Sequence, residues 1–319
     1  MRLVVLGTGP FAVPMFGALL DSPHEVAGLV TRPTPPAKGR EKSPVNPMRD
    51  LAESRGVAVD APESINSDEG LGLLRSLAPD LLVVCDYGQI LSPAALAVAP
   101  LGGINLHASL LPKYRGAAPI HWAILRGETE TGVSVIHMTP RLDGGPILSV
   151  RRAAIGPEET QPELEQRLAQ LGTEAVHEAL DTLLAWDRAS PIGQSQDATL
   201  ATKAPRLKKE QGAVDWSRSA AQICNQVRAL KPWPGTFSFW HRAGQEPVRL
   251  VLDQVRLVDA ASNAPGEVVE VARDRLVVGA GEGAVAILAL QPAGKRVLGI
   301  EEFLRGYHVR LGDRFGPAS

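Results

Sequence analysis

Short apolar runs alternate with amphipathic stretches along the first 185 residues. Leu3-Val4-Val5-Leu6 reads as a buried strand, Gly7-Thr8-Gly9-Pro10 as a turn, and Phe11 to Leu20 as a helix. Val26 to Val30 predicts a second strand. Leu81 to Val84, bounded by Pro79-Asp80 and Gly88, is too short for a helix; Ile104 to His107 and Val133 to His137 are further strands. The loop over 31–43 is rich in Pro, Lys and Arg, and Ser43-Pro44 has the cap and first-turn chemistry of a helix start. Strands separated by amphipathic helices predict βαβ units, hence an α/β fold with a doubly wound, mostly parallel sheet of Rossmann-like type. Such sheets place ligands at the carboxyl ends of their strands.

Leu164, Leu168, Leu171, Ala175, Leu180 and Leu183 recur near the helical period and predict one helix over 158–185. The periodicity then stops. Residues 187–209 are polar and broken by Pro191, Gly193 and Pro205, which reads as a linker. After a short helix over 220–229, five strand-like runs (236–240, 248–252, 266–271, 276–278 and 284–290) predict a small C-terminal β-barrel, OB-like in type. The expected organisation is one domain over 1–186, a linker over 187–209 and a second domain over 210–319.

Composition agrees with two globular domains: 319 residues, 44% hydrophobic and 21% charged, exclude a disordered chain. Two distant cysteines, Cys85 and Cys224, exclude a disulfide scaffold and a zinc ribbon and favour a reducing cytoplasm. The apolar run of MRLVVLG is too short for a signal peptide, and no run approaches the roughly 20 apolar residues of a membrane span. The expectation is a soluble, cytoplasmic protein. Net charge is −2, unevenly placed: residues 1–202 carry 16 Lys+Arg against 23 Asp+Glu, and residues 203–319 carry 17 against 12. A basic second half suits a polyanionic partner, although a solvated surface would look the same.

Gly7-Thr8-Gly9-Pro10-Phe11-Ala12 matches the GxGxxA dinucleotide fingerprint. Against that reading, the second strand ends in Val30-Thr31-Arg32 without the acidic residue a ribose needs, and Pro10 and Pro14 restrict the turn. A tight strand-to-helix turn is the alternative use of the glycines. Asn105-Leu106-His107 is sharper, because strand alternation puts the amide and the imidazole on one face. An amide donor beside an imidazole at a strand end can stabilise an oxyanion. The apolar turn Ser109-Leu110-Leu111-Pro112 follows directly, and Arg141-Leu142-Asp143-Gly144-Gly145-Pro146 offers a carboxylate in a glycine-rich loop. The remaining histidines show no metal-ligand spacing, so no metal is expected, and Cys85 reads as core. Lys38, Arg40 and Lys42 crowd one loop, and Lys203, Arg206, Lys208 and Lys209 another. Trp233 and Trp240 could stack bases or fill a core.

These segments resemble the 10-formyltetrahydrofolate-dependent formyltransferases, and among them the methionyl-tRNA formyltransferase family. The resemblance rests on GTGPFAVP from Gly7, YGQIL from Tyr87, NLHASLLP from Asn105, YRGAAPI from Tyr114 and LDGG from Leu142. In the second half it rests on DWS at Asp215, RALKPWPG from Arg228, LQPAGK from Leu290 and EFLRG from Glu302. It implies a formyltransferase domain followed by a barrel that helps hold tRNA, with a monomer expected. It further implies that Asn105, His107 and Asp143 are catalytic, and that Ser109, Leu110, Leu111 and Pro112 line the folate pocket, with Tyr87, Gln89, Ile90 and Leu91 on its pterin side. Lys38, Arg40 and Lys42 would meet the initiator tRNA acceptor stem, and Arg206, Lys208 and Lys209 would lie along its path. The implied reaction is direct acyl transfer: the methionyl α-amine attacks the formyl carbon, Asn105 and a protonated His107 hold the oxyanion, and Asp143 assists the proton. Three features depart from the family pattern: a short loop between Arg40 and Ser43, Asp86 where a small apolar residue is usual, and LDGGP in place of LDTGD. LDGGP is closer to glycinamide ribonucleotide transformylase, which is shorter and has no counterpart to 205–319. Two rivals remain: a formyltransferase for another amine, such as a sugar nucleotide, and an NADP-dependent oxidoreductase.

Overall fold

The computed structural model describes residues 1–34, 45–259 and 264–318. The chain divides into two compact units. One comprises Met1–Pro119, Glu130–Ala154 and Leu164–Pro205; the other comprises Ile120–Thr129, Ile155–Glu163 and Arg206–Ser319.

The first unit is built on strands β1 (Arg2–Gly7), β2 (Glu25–Val30), β3 (Val59–Asp60), β4 (Leu81–Cys85), β5 (Gly103–His107), β6 (Glu130–His137) and β7 (Ile147–Ala154). They form one sheet in the order β3-β2-β1-β4-β5-β6-β7, parallel from β3 to β5 and antiparallel at β6 and β7. The order reverses between β1 and β4, the switch point at which doubly wound sheets open a crevice. Helices α1 (Val13–Leu20), α2 (Pro47–Ser54), α3 (Asp68–Leu77) and α4 (Pro93–Leu96) belong to this unit, α5 (Pro119–Leu125) falls with the second unit from Ile120 on, and α6 (Gln161–Leu184) belongs to the first from Leu164 on. Every residue of β4 is buried, as a strand covered on both faces requires.

Local chemistry moved two of the expected boundaries. Asn46, not Ser43, caps α2: its side chain accepts the Arg49 N–H and Pro47 takes the first helical position. Ser43 and Pro44 lie outside the described residues. The α6 periodicity holds, with Leu164, Leu168, Ala175, Leu180 and Leu183 buried. Gly172 lies where α6 crosses β5; a Cβ there would stand 2.7 Å from Leu106 Cδ2. Leu106 is therefore clamped behind the strand that carries Asn105 and His107. Strand β7 carries no apolar pattern in the sequence, because its one buried position is Ser149, whose hydroxyl donates to Glu178 at 2.5 Å. The polar 187–205 stretch is not a free tether. It belongs with the first unit, where Gln194 exchanges both backbone hydrogen bonds with Ile147.

The second unit is an antiparallel sheet of β8 (Thr236–His241), β9 (Val248–Val258), β10 (Val268–Ala272), β11 (Arg275–Gly279), β12 (Ala284–Pro292), β13 (Leu298–Gly299) and β14 (Arg314–Gly316), with helices α7 (Ala220–Ala229) and α8 (Ile300–Gly306). Its order is β10-β11-β12-β9-β8-β14, with β13 added to β12. Among the described residues seven strands replace the five expected, since β13 and β14 are too short to show a pattern. The sheet curls until its ends meet: Phe315 N donates to Gly266 O at 2.6 Å, and Val268 N to Asp313 O at 2.8 Å. The OB-like reading holds in this half-barrel form. Trp240, Leu250, Val278, Ile287 and Phe303 fill its interior. Trp240 is wholly buried, which removes it as a base-stacking surface, whereas Trp233 is 54% exposed.

Candidate active site

Strand β5 presents Asn105 and His107 on one face, as alternation requires. Strand β6 runs antiparallel, so its exit at His137 lies opposite Ile104, at the far end of β5 from His107. Asp143 is therefore not delivered by a strand end; the loop after β6 carries it back toward His107. Asp143 adopts a left-handed backbone, φ 48°, and its carboxylate reaches both partners. Asn105 Nδ2 donates to Oδ1 at 3.4 Å, and His107 Nδ1 lies 3.8 Å from Oδ2. Gly116 N donates to the same Oδ2 at 2.8 Å. The side chains of His107 and Asp143 are only 7% and 10% accessible.

The His107 ring is oriented from behind. Its Nε2 lies 2.9 Å from Tyr114 O, and a carbonyl can only accept, so Nε2 carries a proton. Nδ1 is thus the ring nitrogen that faces the carboxylate. The turn between them is internally braced: Ser109 Oγ donates to Lys113 O at 2.7 Å, and Ser134 Oγ donates to Ser109 O while accepting from Leu111 N. Ser109 is wholly buried in this brace, Leu111 is 7% exposed, and Leu110 and Pro112 are half-buried.

After β4, Tyr87 and Leu91 are buried, whereas Ile90 is 67% exposed. Gln89 is tied to the neighbouring loop, accepting from Ile65 N and donating to Glu63 O. The Tyr87 hydroxyl is buried without a hydrogen-bond partner among the described residues, and burial pushes its pKa up to about 12. Burial also raises the Cys85 thiol, so Cys85 is an inert core residue.

Asp86 decides the reading of the glycine motif. A Cβ placed on Gly9 would lie 1.6 Å from Asp86 Oδ2, so the carboxylate stands over the Gly9 α-carbon. A pyrophosphate approaching that turn would meet a negative charge. Thr31, directly after β2, is buried and accepts from Asn46 Nδ2 at 2.8 Å, so the residue at that strand end is an engaged hydroxyl and not a carboxylate. The glycines serve a close strand-to-helix approach. Crowding by neighbouring atoms, followed by repulsion from Glu165, pushes the Asp86 pKa up to about 6, although the residue as a whole is exposed to solvent. The folded state thus holds the Asp86 proton more tightly than the unfolded chain. Asp86→Asn should match the wild type in stability below about pH 4, where both states are protonated. Its advantage should grow as pH rises and level off above about pH 6. The two-unit shift limits the gain to about 3 kcal/mol, and solvent screening reduces it to about 1 kcal/mol. Urea unfolding at pH 5 and 7.5 checks this; an equal gain at both would mean the carboxyl is not the cause.

Among the described residues no group of three or more His, Cys, Asp or Glu could hold a metal ion, and no helix is long and apolar enough to cross a membrane. Lys38, Arg40 and Lys42 lie outside the described residues. Arg206, Lys208 and Lys209 are exposed.

The formyl transferase family profile matches residues 1–180, and the profile of the formyl transferase C-terminal domain matches residues 206–308. The methionyl-tRNA formyltransferase of Rhodopirellula baltica is 48% identical over 326 residues, covering 98% of this chain and 96% of its own. That of Geobacter sulfurreducens is 40% identical over 318 residues, covering 100% and 98%. The chain belongs to the formyltransferase family. Among solved structures, the sugar 3N-formyl transferase WlaRD shares its fold at a TM-score of 0.63 and 16% identity, over 93% of this formyltransferase and 99% of that chain. HypX from Aquifex aeolicus does so at 0.62 and 18%, over 96% and 47%. What sequence reasoning missed in this formyltransferase is the backbone at Tyr114 and Gly116, which holds His107 and Asp143 through a carbonyl and an amide. The YRGAAPI segment stands out in the sequence only by its family resemblance, since backbone contacts leave no side-chain signature.

Proposed function

We propose that this formyltransferase moves the formyl group of 10-formyltetrahydrofolate to the α-amine of methionine on initiator tRNA. The observation that carries the reading is the meeting of Asn105, His107 and Asp143 at one point, in a chain similar over its whole length to methionyl-tRNA formyltransferases. The amine nitrogen attacks the formyl carbon, and the carbonyl oxygen becomes an oxyanion. Asn105 has a second amide N–H free of Asp143 and donates it to that oxygen. His107 donates through Nδ1, because Nε2 is held by Tyr114; the 3.8 Å gap to Asp143 leaves Nδ1 unsaturated by the carboxylate. Asp143 attracts the imidazolium and accepts the proton lost by the amine, delivering it through water to N10 as the C–N10 bond breaks. The products are the formylated aminoacyl-tRNA and tetrahydrofolate.

The residues also fit a flat, polar-edged donor. Ile90 and Leu142, 67% and 56% exposed, leave apolar surface that a ring can cover, and the orphaned Tyr87 hydroxyl is a donor for a ligand edge. In this reading Ser109, Leu110, Leu111 and Pro112 form the turn beneath the folate, and Tyr87, Gln89, Ile90 and Leu91 the pterin side. Residues 1–186 are the catalytic domain and 210–319 the tRNA-binding domain, with Lys38, Arg40, Lys42, Arg206, Lys208 and Lys209 along the phosphate path.

Formyl transfer to methionylated initiator tRNA, with methionylated elongator tRNA beside it, tests the proposal. Transfer to the initiator alone is expected. Transfer to neither, with tetrahydrofolate still bound, would overturn the acceptor and point to another amine. In the same assay Asn105→Ala should lower kcat about 10²-fold, the usual cost of one oxyanion donor, with little change in folate affinity. A loss confined to KM would remove Asn105 from the oxyanion site.

A further inference from the structure

We infer that Gln196, in the polar stretch after the long helix, is a positioning residue that holds the Asp143 loop in its reactive place. Its carboxamide is fully engaged. Nε2 donates to Asp143 O at 2.9 Å and to Gly145 O at 2.7 Å, while Oε1 accepts from Arg115 Nε at 3.2 Å and Nη2 at 2.6 Å. All four hydrogen-bonding positions of the amide are filled, and the arginine fork sets which end of it faces the loop.

The two segments joined by this amide are the ones that touch the catalytic side chains. The Leu142–Gly145 loop carries Asp143 itself. The Tyr114–Gly116 segment orients His107 through Tyr114 O and holds Asp143 Oδ2 through Gly116 N. That segment is in turn fastened to the chain around Gln196. Arg115 N donates to Thr202 O at 2.8 Å, Ala204 N to Arg115 O at 2.7 Å, and Tyr114 N to Thr202 Oγ1 at 2.8 Å. On the other side, Gln194 is paired with Ile147, just beyond the loop. Asp143 keeps its carboxylate turned inward from a left-handed backbone that a free aspartate rarely adopts. The two carbonyl bonds from Gln196 fix the Asp143–Gly144 and Gly145–Pro146 peptides, and so fix where that carboxylate points.

The inference rests on the catalytic reading of Asp143, and two variants with two readouts separate the two. Gln196→Leu removes every bond. Gln196→Glu keeps the volume and the Arg115 pairing but turns an acceptor toward the two carbonyls. Both should lower kcat about 10- to 100-fold, the scale of a misplaced catalytic group, with KM for tRNA and for the formyl donor within about threefold. Gln196→Glu should still be fully folded under assay conditions, as urea unfolding checks, so its loss of kcat cannot be assigned to unfolded protein. In an Asp143→Ala background neither substitution should cost more, because residues acting as one unit are not additive. Independently of any acceptor, the Gly116 amide should exchange with solvent at least about tenfold faster in Gln196→Glu, as in Asp143→Ala. Faster exchange with undiminished kcat would leave Gln196 positioning the loop and remove Asp143 from catalysis. Unchanged Gly116 exchange, or a kcat loss that repeats in the Asp143→Ala background, would overturn the inference itself.

Discussion

Asp143→Asn is expected to lower kcat about 10³-fold while leaving KM for both substrates within a few-fold and the fold intact. The reasoning is geometric. An asparagine amide oxygen can still accept from Gly116 N, as Asp143 Oδ2 does at 2.8 Å, so the loop retains its anchor. What disappears is the charge 3.8 Å from His107 Nδ1 and the base that takes the amine proton. The new amide also sets two N–H donors against the Asn105 amide, where the wild type pairs Nδ2 with a carboxylate at 3.4 Å. Loss of general-base help alone accounts for about 10²–10⁴ in rate. Disturbing the Asn105 donor adds to it, although groups acting on one transition state do not sum. Single-turnover transfer, with both substrates bound before mixing is complete, isolates the chemical step. A rate equal to the wild type would exclude Asp143 from proton transfer, and a loss confined to KM would make it a binding residue.

The same site shows what a sequence can and cannot disclose. Asn105 and His107 were legible because alternation on a strand is rigid: if Leu106 is buried, its neighbours share the other face. Asp143 was legible as chemistry but not as geometry. A carboxylate among glycines marks a loop, yet its return to β5 depends on β6 running antiparallel, which no local pattern encodes. Strand β7 was hidden because its buried position is a serine satisfied by Glu178. The α2 cap falls three residues after the expected one, because Ser43-Pro44 and Asn46-Pro47 carry the same cap chemistry and the sequence does not choose between them. Tyr114, Gly116 and Gln196 act through backbone carbonyls and amides, so side-chain identity gives little warning of them. The 187–205 stretch read as a linker for the same reason: its polar side chains and breakers describe a chain outside regular structure, not a chain without partners.

The tryptophans supply the complementary case, and a second large effect. In Thr236-Phe237-Ser238-Phe239-Trp240-His241 the inward positions are Thr236, Ser238 and Trp240, while the phenylalanines face outward half-buried. The inward hydroxyls are satisfied: Thr236 Oγ1 donates to Gln226 O at 3.2 Å, and Ser238 Oγ donates to Gly316 O while accepting from Trp216 Nε1. Trp240 closes this core. Its ring packs edge-on against Phe303 and Tyr307, Arg242 lies over one face at 4.4 Å, and Nε1 donates to Asp313 Oδ2 at 3.0 Å. Asp313 lies just before β14, whose neighbours close the curled sheet, so truncation removes both core volume and a closing hydrogen bond. Trp240→Ala should therefore destabilise the second unit by about 3–5 kcal/mol, the range for a fully buried aromatic. Trp233→Ala, at a position 54% exposed, should change stability by no more than about 0.5 kcal/mol. Urea unfolding followed by tryptophan fluorescence and by circular dichroism measures both. If Trp233 stacks on a base, its variant should raise KM for tRNA without touching KM for the formyl donor. Equal destabilisation by the two substitutions would mean that the half-barrel core is not organised around Trp240.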